Sequence, residues 1–469
     1  MSGSDAPVAS TVELRPDTAW KALRVTTWCL FGLIFLAAFE ALAVTTVMPT
    51  VSQALDGADL YAFAFAGTLA AGVVGMVVSG GWADRRGPRG PLATAVSLFA
   101  TGLLLAGLAP SMELFVAGRL VQGLGAGGIT VAVYVVVARA YPPLLHPRVF
   151  AGFSAAWVVP SLVGPPLAGA VAQHVGWRWV FLGVVAVVVP VALVVLANVA
   201  RLGPPDEPAA GASGLRIAWA CLAAVAVLGL NLAGQADAPW DVVLAAAATV
   251  VVLIALRPLL PAGSLRLARG LPSVVSGRAL LAGAFFGAEV YLPYLLTRRY
   301  DFSPTLAGIT LTAAAITWAG ASWVQGRLAG RLSDRDAVRI GTVLVVVGVG
   351  STCLVAAAHA PAPLLVVTWA CSGAGMGLSY ARQTVLVLGY SQPGTQGTNS
   401  SSLTIADSTG AAWSLAVTGL VFGAASGLDG PFVATFAFTT LLAVGAALVA
   451  PRVAPRMRQP VTDASTART

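Results

Sequence analysis

Long apolar runs, bounded by Arg, Pro, Gly or acidic residues, follow one another along almost the whole chain, and they most constrain its fold. They fall at about 24–49, 60–81, 91–109, 112–138, 149–173 and 178–200, then 215–233 and 240–256, then 275–297, 304–327, 338–358, 363–389, 398–426 and 430–450. Crossing the hydrocarbon of a bilayer takes about 20 consecutive apolar residues in a helix. The pattern therefore predicts an all-α integral membrane protein of 14 spans, arranged as six, two and six. The expected organisation is a cytoplasmic N-terminal tail (1–23), a six-helix bundle (24–200), a linker with two extra transmembrane helices (201–273), a second six-helix bundle (274–450) and a cytoplasmic C-terminal tail (451–469). The pair at 215–256 is the shortest, and a re-entrant or surface hairpin is its alternative.

Only 10% of the 469 residues are charged against 57% hydrophobic, whereas a soluble domain carries about 25% charged residues. Soluble and disordered readings are thereby excluded. The net charge of +8, from 27 basic and 19 acidic residues, would suit a nucleic-acid surface if the basic residues clustered. Instead 26 are Arg, with Lys21 the exception, and they stand singly between apolar runs. With the N-terminus in the cytoplasm, 22 fall in cytoplasmic segments or at span ends, three (Arg178, Arg298, Arg299) lie outside, and Arg119 and Arg382 lie within spans. This is the asymmetry of the positive-inside rule, so the excess reports topology and implies no nucleic-acid partner. The four cysteines share no metal-ligand spacing. The opening segment, Met1 to Trp20, lacks the apolar core and cleavage site of a secretory signal, so the first span is expected to be its own uncleaved insertion signal. His146, His174 and His359 stand apart, and no Gly-x-Ser-x-Gly or His-Glu-x-x-His occurs. Neither an enzyme nor a metal or other cofactor is expected.

A few polar residues inside the runs are conspicuous. Glu40, Glu289 and Asp407 are intramembrane carboxylates, each costing on the order of 2.5–3.5 kcal/mol on insertion scales, so function is the default reading. Trp157, Tyr291, Tyr294, Tyr380 and Trp413 are candidates for lining a cavity around flat or cationic substrates. Arg382 meets an anionic substrate or Asp407, or else snorkels to the inner interface. The two six-run blocks also look like repeats. Glu289 follows Glu40 by 249 residues, and Asp334 follows Asp84 by 250.

Four motifs make the chain similar to the major facilitator superfamily, and within it to the 14-span drug:proton antiporters. GGWADRRGPRG at 80–90 resembles the family's Gly-x-Leu-Ala-Asp-Arg-x-Gly-Arg-Lys loop: Gly80, Asp84, Arg85, Gly87 and Arg89 match, whereas Trp82 and Pro88 depart. A second copy keeps Asp334 and Arg335 after Gly330, with Ala337 in place of the glycine. The resemblance implies that these loops latch the two halves in one access state. FVAGRLVQGLGAGG at 115–128 is similar to Arg-x-x-Gln-Gly-x-Gly and implies that Arg119 couples to proton movement. The alternative is an arginine snorkelling to the outer interface. VVPSLVGPPLAGAV at 158–171 resembles the antiporter motif at Gly164, Pro165 and Gly169, with Pro160 and Ala168 replacing glycines, and implies export. GWRWVFL at 176–182 is common among multidrug members, and reads equally well as an interfacial aromatic belt. FEALAVTTVMPTV sets Glu40 where the family usually has Asp.

The resemblance thus implies proton-coupled export of small amphipathic organic compounds, drugs or secondary metabolites. The means would be alternating access between two bundles with pseudo-twofold symmetry in the plasma membrane. The proton-motive force would act through Glu40, Arg119, Glu289 and Asp407, with no cofactor, in a lipid-embedded monomer. A major facilitator uptake carrier or facilitator for a small organic solute is the alternative.

Overall fold

The computed structural model describes residues 23–142, 145–199, 214–233, 240–327, 331–391, 396–425 and 430–454. Most of both expected tails, the polar stretch 201–213 and Gly330 lie outside them. Within the described residues every apolar run is a helix. The first block gives α1 (Arg24–Ala54), α2 (Tyr61–Arg86), α3 (Arg89–Gly107), α4 (Met112–Ala140), α5 (His146–His174) and α6 (Arg178–Val199). The short pair gives α7 (Gly214–Ala233) and α8 (Trp240–Leu256). The second block gives α9 (Leu271–Glu289), α10 (Tyr291–Arg299), α11 (Pro304–Arg327), α12 (Asp334–Ala357), α13 (Pro363–Tyr390), α14 (Gln396–Ala424) and α15 (Gly430–Val449). Eleven stretches among the described residues are long and apolar enough to cross a membrane, and two shorter apolar helices fall in α7 and α8.

Local chemistry sets the ends. Gly87 closes α2 at φ +80°, a conformation glycine adopts without strain, and the chain turns straight into α3. Ser333 caps α12 by accepting from the Asp336 amide at 3.1 Å. The ninth run is divided at Val290 into α9 and α10, although Val290 keeps helical backbone angles (φ −63°, ψ −33°) and Leu271–Arg299 reads as one span. Pro293 has no N–H to offer the Glu289 carbonyl four residues back, so the division leaves an intramembrane acid as the last residue of α9.

The two blocks pack alike. In the first, α1 lies on α5 and α6, α4 on α2 and α3, and α3 on α6. In the second, α9 lies on α14 and α15, α13 on α11 and α12, and α12 on α15. The repeat reaches individual glycines. Gly123, Gly125 and Gly127 of α4 bear on Thr68, on Ala95 and Phe99, and on Gly72. Gly373, Gly375 and Gly377 are their counterparts on α13, and they bear on Ala314, on Gly341 and Val345, and on Trp318. One constant offset along the chain carries each touched residue of the first block onto its equivalent in the second, from Thr68 to Ala314 through Phe99 to Val345. A side chain at any of these glycines would collide with backbone across the interface.

The halves meet along two seams, α5 against α11 and α2 against α14. Helices α7 and α8 form a hairpin, with α7 lying on both α2 and α14. Trp413 of α14 donates to Thr249 of α8 at 3.1 Å. At about 1.5 Å per residue α7 is about 30 Å long, and it packs along transmembrane partners.

Counting turns through the helices puts the Asp84 and Asp334 loops at one end, with Arg24, Arg85, Arg86, Arg89, Arg139, Arg327, Arg335 and Arg452. This is the arginine-rich end; Arg178, Arg298 and Arg299 mark the opposite one.

Candidate functional site

Arg119 and Gln122 are three residues apart on α4, so they share a face. That face meets α1 at Glu40. The Arg119 Nη1 donates to Glu40 Oε1 and to Gln122 Oε1. All three are sealed, at 4%, 0% and 4% exposure for Arg119, Gln122 and Glu40. An arginine carries five donors, and among the described residues Arg119 Nε and Gln122 Nε2 have no hydrogen-bond partner. The snorkelling alternative for Arg119 does not hold, because its guanidinium turns inward onto an acid. Breaking such a buried pair by removing one partner costs about 3–5 kcal/mol.

A second pair lies in the other half. Arg278 of α9 donates through Nε to Asp407 Oδ1 of α14 at 2.8 Å. It also donates through Nη1 to the Tyr380 carbonyl at 3.0 Å, and its guanidinium sits 3.3 Å from the Tyr380 ring centroid. The Tyr380 hydroxyl donates to the same Asp407 oxygen at 2.7 Å. Gln383 Oε1 is 3.5 Å from Arg278 Nη1. Tyr134, from α4 of the first half, is within electrostatic reach of both Arg278 and Asp407. This pair is more open than the first, at 12% and 25% side-chain exposure against 5% and 5%.

Arg382 does not meet Asp407. Two residues along α13 from Tyr380, it points about 200° around the helix, away from α14. Its Nη1 donates to Asp334 Oδ1 at 2.7 Å. With the Gln325 amide oriented to accept, Nε and Nη2 reach its oxygen at 2.6 and 2.9 Å. The loop residue Asp334 is thereby tied to α11 and α13 together, while Arg335 is exposed. In the first loop Gly80 adjoins Val131, and Trp82 lies against Gly90. Arg85 and Arg89 are exposed, and the Asp84 side chain lies outside the described residues.

A side-chain carbon added at Gly164 would stand 3.5 Å from Phe39, the neighbour of Glu40, while Pro165 lies on Gly308 and Gly169 on Thr305 of α11. The segment with the antiporter-like pattern thus joins α1 to the second half. Tyr291 and Tyr294 belong to an aromatic cluster at the opposite end. Tyr61 of α2 stacks on Tyr294 at 5.5 Å, Tyr291 stacks on Phe422 at 5.0 Å, and the Tyr61 hydroxyl donates to the Val290 carbonyl at 3.4 Å. Trp157 is 48% exposed on α5, and Trp413 turns to α8. Glu289 makes no hydrogen bond or ion pair among the described residues, unlike the other two intramembrane acids.

Sequence reasoning passes over Arg278, Gln383 and Tyr134, and takes in Gln122 only as part of the motif around Arg119. Arg278 falls there among the 22 basic residues of the arginine-rich side. Its signal is positional, since it stands seven residues beyond the start of α9 at Leu271.

Comparison with known proteins fits this architecture. The family model described as Major Facilitator Superfamily matches residues 30–414. A probable multidrug-efflux transporter of Mycobacterium tuberculosis is 26% identical over 447 residues, 88% of this chain and 91% of that protein. An MFS efflux transporter of Aspergillus oryzae is 35% identical over 184 residues, 38% of this chain and 33% of that protein. The match thus spans about a third of the length of that fungal relative. Among solved structures, a D-xylose-proton symporter superposes with a TM-score of 0.67 at 14% identity, covering 92% of this chain and 98% of that one. The human organic anion transporter MFSD10 superposes with a TM-score of 0.62 at 16% identity, covering 90% and 99%.

Proposed function

Because the chain belongs to the major facilitator superfamily, we propose that it is a 14-span, proton-coupled exporter of small amphipathic organic compounds, working by alternating access. The observation that carries this reading is the sealed Glu40–Arg119 pair, a removable charge placed beside the segment where α5 joins the second half. The arginine-rich end is cytoplasmic by the positive-inside rule, and the aromatic cluster closes the outer end. The repeated packing of the two blocks supports a pseudo-twofold pair of bundles that rock about the two seams. A proton arriving from outside neutralises Glu40 and releases Arg119, which keeps Gln122 as its partner. Loss of that proton to the inside restores the pair. Each charge moved through 100 mV supplies about 2.3 kcal/mol, so one proton per cycle sustains a useful gradient. The efflux names of the relatives support the direction.

Inverted vesicles test this with a panel of amphipathic dyes and drugs. The wild type is expected to accumulate at least one of them when the lumen is acidified. Glu40→Gln is expected to abolish that accumulation at unchanged expression, whereas Glu40→Asp retains it. Proton-independent transport, or wild-type rates in Glu40→Gln, would overturn the reading.

A further inference from the structure

The two intramembrane charge pairs are staggered across the molecule, and that stagger points to a role for the arginine that no motif marks. Arg119 lies seven residues, about 10 Å, into α4 from the opposite end. Arg278 lies seven residues, about 10 Å, into α9 from the arginine-rich end. Asp407 lies 11 residues, about 16 Å, into α14 from that same end. Glu40 lies 16 residues, about 24 Å, into α1 from the arginine-rich end, near the middle of that helix, so the first pair spans from the midplane toward the outer face, whereas the second lies toward the inner face. Their accessibility differs in the same sense, for the inner pair is the partly exposed one.

We propose that Arg278 positions Asp407 as an inner proton station, the group from which a coupling proton leaves toward the arginine-rich side. The proposal rests on the proton-coupled reading above and adds a second, staggered site to it. Asp407 Oδ1 accepts from both Arg278 Nε and the Tyr380 hydroxyl. A proton on Asp407 competes with these donors, so protonation and pairing oppose one another. Arg278 is held for this task. Its Nη1 is anchored on the Tyr380 carbonyl and its plane lies on the Tyr380 ring, so the guanidinium stays in place when its anion is neutralised.

The groups that face Asp407 are few. Arg278 comes from α9, Tyr380 from α13, and Tyr134 from α4 across the gap between the halves. The other helices packed on α14 are α2, α7 and α15. Of these, α2 carries Asp84, Arg85 and Arg86 in its last turn and α7 carries Arg216 in its first turn, at the arginine-rich end; the remaining ionisable side chains of the three helices are Tyr61, at the opposite end, and Cys221. Tyr134 lies within electrostatic reach from the other bundle, so this interaction changes with the separation of α4 and α14.

The test is an infrared pH titration of the purified full-length protein in detergent, following the protonated-carboxyl band that Asp407→Asn removes. Arg278→Gln is expected to move that band upward by at least one pH unit, a tenfold change in proton affinity, or to bring it into the range pH 5–9 if the wild type shows none there. Arg278→Lys is expected to stay near wild type. A second measurement fixes the side. With the four native cysteines changed to Ala, Arg278→Cys is expected to react with a membrane-impermeant thiol reagent in inverted vesicles and not in right-side-out ones. An unmoved band in Arg278→Gln, a band equally moved in Arg278→Lys, or labelling from the outer face would overturn the proposal. Neither measurement involves transport, so the inference fails separately from the exporter reading, which stands or falls with Glu40→Gln.

Discussion

At the scale of single residues, the sealed pair separates stability from function. Arg119→Met leaves Glu40 buried without its cation and is expected to destabilise by about 3–5 kcal/mol. Adding Glu40→Leu removes the stranded acid, so the double variant is expected to recover most of that loss and to show strong non-additivity. Thermal unfolding in detergent checks the stability, and the vesicle assay should find both variants inactive in proton-driven transport. Equal losses in the single and double variants would mean that Glu40 does not depend on Arg119. Both residues are legible in the sequence because a charge inside an apolar run is costly and therefore conspicuous. Their pairing is not, since they stand three helices apart in chain order and only the packing of α1 on α4 brings them together. Arg278 escapes for the converse reason. Hydropathy blurs span ends by a turn or two, so a buried arginine near an end looks like one of the many that mark topology.

At the scale of elements, the glycine triplets of α4 and α13 decide how closely the helices approach. Gly127 meets the Gly72 backbone and Gly377 the Trp318 backbone, so neither neighbour can swing aside as a side chain would. Gly127→Ala and Gly377→Ala are each expected to destabilise by about 1–3 kcal/mol, the usual penalty of overpacking. Gly183→Ala on α6, with nothing within 4 Å of the added carbon, is expected to be neutral or to gain up to about 1 kcal/mol of helix propensity. Melting temperatures of the three variants check the ranking, and a destabilised Gly183→Ala would count against the packing argument. The helices themselves can be anticipated to within about five residues at each end, because apolar length and terminal Arg, Pro and Gly are local signals. The division at Val290 cannot. Pro293 is visible, but a transmembrane proline can bend a helix or interrupt it, and the choice depends on which neighbours fill the gap.

At the scale of the whole molecule, the seams should be the surfaces that move. Thr305 of α11 donates to Gln173 of α5 at 2.8 Å near the opposite end. In a background without native cysteines, Gln173→Cys combined with Thr305→Cys is expected to form an oxidative cross-link that reduces transport to background, with recovery on reduction. Full transport by the cross-linked protein, measured on gel-verified samples, would show that this seam stays closed throughout the cycle. The likeness of the two bundles shows in the sequence at two landmarks, the acids and the Asp-Arg loops. Its depth appears only in three dimensions, where three glycines and the backbones they touch recur together.

The position of the α7–α8 hairpin has a consequence for the lipid. It covers the α2–α14 seam from one flank. Along the α5–α11 seam, Trp157, Val163 and Leu167 of α5 and Ile309 of α11 remain exposed. One joint is therefore covered along one flank by the hairpin while the other keeps exposed apolar side chains, and the molecule has a front and a back within the plane of the bilayer.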